Sequence, residues 1–166
     1  ATDASPLVPN LRKQQLDWHS SDTLYFTTKT RKIQKPLIGL ISDKEALINN
    51  IFYYTSIKTE HKGGEELLSV TVVKEHKLSE YELIQKVKDD LKTFCGITTE
   101  RYLKHYPIKM ALPQLNNLRY SLMPSETRLT ERIFLAGDYL LNGSLNAAMI
   151  SGEMAAIGVI QTIEKT

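Results

Sequence analysis

The pattern of this chain predicts an α+β fold, mainly an antiparallel sheet with flanking helices and a closing C-terminal helix. Three observations carry the prediction. Short β-rich runs separated by turn signals fill residues 23–73. One helical stretch with a start and a stop signal lies between Ser79 and Gly96. A second run, rich in small residues, follows Ser144.

Taken in order, Ser5 before Pro6 is a helix start: a side-chain acceptor, then a residue whose missing N–H was unpaired anyway. Pro9 limits that helix to one or two turns. Residues 23–29 alternate and are rich in Thr, Tyr and Phe, which is strand chemistry. Residues 36–41 read as a second strand with Pro36 at its entry, where the lost donor does least harm. A turn at residues 43–45 leads to a third strand over 47–55, and Gly63-Gly64 turns the chain into a fourth over 67–73. Short strands joined by short turns predict an antiparallel meander.

The period then changes. Ser79 and Glu82 have capping-box spacing, and Ile84, Val87, Leu91 and Phe94 recur every three or four residues before Gly96 stops the helix. Residues 102–110 read as extended, interrupted by Pro107 and closed by Pro113. Residues 114–131 carry Asn, Pro and Ser without a period, so an irregular segment with one helical turn is expected.

Composition sets limits on partners. The chain has 166 residues, enough for one core. A net charge of +2, with acids interspersed as in Lys86-Val87-Lys88-Asp89-Asp90, gives no stripe for nucleic acid and reads as a solvated face. The single cysteine, Cys95, excludes an internal disulfide and any multi-cysteine metal site. His19, His61, His76 and His105 show no metal-ligand spacing. No apolar run is long enough for a membrane span and no signal-peptide pattern opens the chain, so a reducing, cytoplasmic location is expected.

The most informative stretch comes last. Arg132-Ile133-Phe134-Leu135-Ala136-Gly137-Asp138 reads as a short apolar strand ending in a sharp turn, and Asn142-Gly143-Ser144-Leu145-Asn146 opens the final helix. An ionised carboxylate only accepts hydrogen bonds, so Asp138 suits the hydroxyls of a sugar or ribityl chain better than phosphates. Gly137 allows close approach of a ligand to the backbone. At Ser144, Leu145 and Asn146 the first-turn N–H groups lack intrahelical partners, and the helix end carries partial positive charge. Ala147, Ala148, Ser151, Gly152, Ala155 and Ala156 keep the helix small enough for close contact. Without a covering domain, Met149, Ile150, Met154 and Ile157 are expected to leave an apolar patch that drives self-association.

This segment closely resembles the C-terminal flavin-contacting part of the FAD-dependent amine oxidase and phytoene desaturase superfamily. Residues 37–73, with Lys62-Gly63-Gly64, resemble that family's cap-domain meander, and residues 102–113 resemble the strand returning toward the flavin. The resemblance implies a cap or substrate-domain region over residues 1–131 and a strand-turn-helix piece of the FAD-binding domain over 132–166. It implies FAD as cofactor, held by Gly137, Asp138, Ser144, Leu145 and Asn146, with hydride passing from a small organic or polyene substrate to the flavin. Lys104, His105, Tyr106 and Lys109 lie on the return strand, whose alternate side chains would face the substrate. No glycine-rich dinucleotide loop is present, and the chain opens on Ala1-Thr2-Asp3. The expectation is therefore a fragment whose partner is a missing N-terminal dinucleotide-binding domain and which holds FAD poorly alone. A non-catalytic ligand-binding or interaction module, using the exposed sheet, is the alternative.

Overall fold

A computed structural model describes residues 17–60 and 63–164. The helix start at Ser5-Pro6, along with His61 and Lys62, lies outside the described residues. The chain divides into two compact units, His19–Ala111 and a second formed by Ala1–Trp18 with Leu112–Thr166. The 131/132 boundary expected from the sequence falls inside the second of these.

The first unit is a five-stranded antiparallel sheet carrying one helix. Its strands are β1 (Trp18–Thr28), β2 (Gly39–Leu40), β3 (Ile48–Tyr53), β4 (Glu66–Val72) and β5 (Tyr102–Pro113), in the spatial order β2-β3-β4-β1-β5. The expected meander is thus partial. β2, β3 and β4 follow one another, but β1 sits between β4 and β5, with Leu24 opposite Val70 and Phe26 opposite Leu68. β1 also extends further toward the N-terminus than its Thr- and Tyr-rich half announces, because Trp18 to Asp22 are polar apart from the tryptophan. β2 shrinks to two residues, and β3 ends in a 3₁₀ turn, Tyr54–Ser56, closed by the Ser56 hydroxyl donating to the Tyr53 carbonyl at 2.5 Å. Pro107 does not interrupt β5. On an edge strand its missing N–H can face the open side, where no ladder partner waits.

Helix α1 (Glu80–Cys95) forms as its caps require. The Ser79 hydroxyl accepts from the Glu82 N–H, Glu82 accepts from the Ser79 N–H at 2.8 Å, and Gly96 takes a left-handed conformation at φ 61°. The helix buries Leu83, Val87 and Leu91 against Leu24, Phe26, Ile48, Ile51, Leu68, Val70 and Val72 of the sheet. Because side chains alternate along a strand, Tyr25, Phe52 and Ser69 point to the opposite face.

Asp90 corrects the sequence reading. The Lys-Val-Lys-Asp-Asp run is not wholly a solvated face: the Asp90 side chain is 2% exposed. It accepts from the Leu47 N–H at 2.6 Å and the Ile48 N–H at 3.4 Å, and pairs with Lys86 at 2.8 Å. β3 has a register irregularity between Ile48 and Asn50, and a carboxylate from α1 takes up the donors at this strand entry.

The second unit is built around helix α2 (Leu145–Ile163). The expected strand over 132–136 is not formed. Residues 133–135 instead fold back on 127–130 through a single bridge, Arg128 with Phe134, and the Leu135 N–H donates to the Thr127 carbonyl at 2.7 Å. A run this short with one neighbouring segment makes a clasp, not a ladder. The irregular stretch before it contains the expected helical turn, Pro124–Thr127. Leu122, Leu141 and Ala147 form a small core joined by Leu140 and Met154.

Candidate functional site

The turn predicted to meet the cofactor is built by local hydrogen bonds. Asp138–Leu140 is a 3₁₀ turn, and the Asp138 carbonyl accepts from the N–H groups of Leu141 at 3.1 Å and Gly143 at 3.0 Å. Gly143, at φ 68°, swings the chain into α2. The Ser144 hydroxyl accepts from the Ala147 N–H at 3.1 Å and donates to the Asn142 side-chain oxygen at 2.6 Å. Asn142 in turn donates to the Arg119 carbonyl at 3.2 Å, fixing the loop from its other side.

Gly137 and Asp138 thus open the 3₁₀ turn, Ser144 caps α2, and Leu145 and Asn146 begin its first turn. Ser144, Leu145 and Asn146 are exposed, while Gly137 and Asp138 are half-buried. Among the described residues, no donor contacts the Asp138 carboxylate and no acceptor takes the N–H groups of Leu145 or Asn146. An unpaired carboxylate and an open helix start are the two features that a polyhydroxylated, partly anionic ligand would use. Gly137 differs in detail from expectation. Its backbone is extended, which any residue tolerates, but a Cβ there would lie 2.4 Å from the Tyr139 ring.

Ser151 is the residue of this turn that the sequence reading placed only in a small-residue stripe. Fully buried in α2, its hydroxyl accepts from the Gly137 N–H and donates to the Ala148 carbonyl, both at 2.9 Å. It ties the Gly-Asp turn to the second turn of the helix. A serine within an otherwise apolar helix was the available signal.

Two further groupings lie in the sheet unit. On the face opposite α1, four aromatic rings cluster. Tyr25 lies 6.0 Å from Tyr54 and 5.8 Å from Tyr106, and Phe52 meets Tyr54 edge-on at 5.1 Å. Tyr54 and Tyr106 remain exposed, and the Lys104 ammonium sits 5.9 Å from the Tyr106 ring centre. Burial, and then the hydrogen bond with Tyr54, push the Tyr25 hydroxyl above its ordinary range, so it stays a neutral phenol.

The other grouping brings together histidines that looked scattered. Asp22 contacts His105 Nε2 at 2.6 Å and His76 Nε2 at 3.2 Å with its two oxygens. The Leu78 N–H donates to His76 Nδ1 at 3.4 Å. His105 Nδ1 faces Glu80 at 3.9 Å, and Glu80 accepts from the Tyr102 hydroxyl at 2.7 Å. Burial, followed by that hydrogen bond and the carboxylate charge, raises the Tyr102 hydroxyl to about 12. This network joins β1, β5 and the start of α1. It turns His105 away from the aromatic face that Lys104 and Tyr106 share. Among the described residues, no three His, Cys, Asp or Glu side chains form a metal-binding group. Cys95 is half-buried, and burial together with the Asp90 charge raises its thiol, leaving a weak nucleophile.

No family model matches the chain. No curated protein matches it either. Solved structures do. An oxidoreductase from Methanosarcina mazei aligns over 99% of this chain and 38% of its own, at 15% identity and a TM-score of 0.50. A putative protoporphyrinogen oxidase from Exiguobacterium sp. 255-15 aligns over 66% of this chain and 27% of its own, at 20% identity and a TM-score of 0.49. At these identities the first likeness is one of fold. The chain spans about two-fifths of the length of the Methanosarcina protein and about a quarter of the Exiguobacterium one. Both neighbours bear oxidoreductase names. Among the described residues, no helix is long and apolar enough to cross a membrane.

Proposed function

We propose that these 166 residues are the sheet-bearing and C-terminal part of a flavin-dependent oxidoreductase of the amine oxidase and phytoene desaturase kind. The observation that carries the reading is the turn at residues 137–146, where an unpaired carboxylate and an open helix start share one hydrogen-bonded loop. Asp138 would accept from the ribityl or sugar hydroxyls of FAD. Ser144 shapes the helix entry, and the open N–H groups of Leu145 and Asn146 would offer the flavin ring partial positive charge. Ser151 holds the Gly137 backbone in place. Bound FAD supplies the hydride acceptor for a substrate C–H bond. The pyrophosphate needs a glycine-rich loop contributed by a dinucleotide-binding domain, since none of these residues forms one.

In the protein expressed from its whole gene, Asp138→Ala should weaken flavin retention by roughly 5- to 150-fold, the equivalent of about 1–3 kcal/mol for leaving ligand hydroxyls unpaired. It should barely move the melting temperature, because the carboxylate has no donor within the described residues to lose. Flavin released per mole of denatured protein, measured beside the thermal transition, checks both parts. Full flavin content in the variant would remove Asp138 from the site.

The aromatic sheet face favours a second reading, a non-catalytic module that holds an apolar ligand on Tyr25, Phe52, Tyr54 and Tyr106. Such a module would carry no flavin, so the same flavin assay separates the two.

A further inference from the structure

One cluster of titratable side chains is drawn wholly from the sheet unit and takes no part in the proposed flavin contact. Every member lies within His19–Ala111. Asp22 stands on β1, His105 and Tyr102 on the neighbouring β5, Glu80 opens α1, and His76 lies in the connection from β4 to α1. The side chains of Asp22, His76 and His105 are only 17%, 15% and 10% exposed.

The acceptors place the protons. An ionised carboxylate only accepts, so the Nε2 atoms that meet the two Asp22 oxygens, at 2.6 Å from His105 and 3.2 Å from His76, both carry hydrogen. A second proton on either ring must go to Nδ1, and the two Nδ1 atoms have opposite surroundings. That of His105 faces an acceptor, the Glu80 carboxylate, at 3.9 Å. That of His76 faces a donor, the Leu78 N–H, at 3.4 Å. Histidine is the side chain whose charge ordinarily changes between about pH 5 and 8. Around the cluster, Tyr102, raised to about 12, stays a phenol that donates to Glu80 at 2.7 Å. Glu82 is held below the usual carboxylate range by the Ser79 hydroxyl and N–H, so it keeps capping α1. Lys74 is turned to the Lys44 and Ala46 carbonyls, and Glu75 and Lys77 are exposed along an open pocket shared with Ser20.

We infer that His105 makes this cluster an acid-set clamp on the start of α1. Proton uptake at Nδ1 turns its ring into a cation held between the Asp22 and Glu80 carboxylates, which ties the first turn of α1 to β1 and β5. With Nδ1 bare, the ring and Glu80 face each other as two acceptors, and only the bond to Asp22 remains. The tie is therefore present on the acid side of the histidine range and lost as pH rises through it. The Glu80 side chain is 62% exposed, so solvent screens its half of the clamp and the effect is a few-fold. His76 donates to the same Asp22, but a second proton on its ring meets no second carboxylate. It anchors the connection without switching.

Amide hydrogen exchange of the protein expressed from its whole gene, at about pH 6 and about pH 8 and corrected for the intrinsic pH dependence of exchange, reads the clamp. Protection over residues 83–86, where the Leu83 N–H donates to the Ser79 carbonyl, should be about 3-fold higher at the lower pH. Residues 91–95, at the far end of α1, should not change. His105→Gln keeps an N–H donor for Asp22 without a titrating ring and should abolish the rise. Glu80→Gln, an exposed change that keeps an acceptor for the Tyr102 hydroxyl, should abolish it too. His76→Gln should leave it in place. Equal protection over residues 83–86 at the two pH values would overturn the proposal. So would a rise that survives in His105→Gln or in Glu80→Gln, or one that His76→Gln removes.

Discussion

Asp90→Ala is expected to destabilise the sheet unit by about 3 kcal/mol, as two strand-entry N–H groups lose a charged acceptor in a buried setting. The Asp90 carboxylate is nearly inaccessible and ties α1 to the irregular start of β3 through these donors. Removing it takes the charged acceptor from the Leu47 N–H and its longer contact from the Ile48 N–H, while the half-exposed Lys86 can turn to water. Asp90→Asn keeps an acceptor of nearly the same shape and should cost less than half as much. Urea unfolding of the three proteins, compared at constant denaturant slope, gives the order directly. Equal stability of wild type and Asp90→Ala would mean that this carboxylate does not hold the strand.

Gly158→Val should disrupt the second unit at least as strongly. Any Cβ at Gly158 would stand 2.9 Å from the Pro124 carbonyl oxygen and 2.9 Å from the Phe134 ring. The first of these is backbone, so the Pro124–Thr127 turn must move away from α2. Overpacking of this kind costs about 1–3 kcal/mol even for modest volumes, more than the roughly 1 kcal/mol of helix propensity that glycine forfeits. A branched side chain adds two further methyl groups at the same spot. The expected result is loss of protection from hydrogen exchange across residues 120–160, with residues 80–95 unchanged. A variant with native protection in both regions would show that the turn has slack the geometry does not display.

How much of this was legible in the sequence depends on the range of the interaction. The caps of α1 were readable because Ser79, Glu82 and Gly96 act within one turn of chain, and both ends formed as those residues require. Strand identities in β3 and β4 followed from β-branched runs, but their order did not. Nothing local says that β1 will separate β4 from β5. The five residues 137, 138 and 144–146 were proposed because glycine, aspartate and a helix start sit close in sequence, and the structure places them on a 3₁₀ turn and the start of α2. Asp90 was misread as solvated because its partners are the backbone donors of Leu47 and Ile48, more than forty residues away. The Asp22–His76–His105 network was invisible for the same reason, since its members lie 54 and 83 residues apart along the chain. The strand expected over 132–136 failed because an apolar run says that a segment is to be covered, not that a neighbouring strand is present to pair with it.

The central claim, that this chain is part of a flavoprotein, is tested most directly by the visible absorption spectrum of the protein isolated from its own cells, with whatever sequence flanks these residues. A bound flavin is expected, seen as its absorption band in the blue, released on denaturation as FAD and bleached on anaerobic reduction. A colourless protein that releases no flavin on denaturation would contradict it, and would leave the aromatic sheet face as the part of the molecule that carries its function.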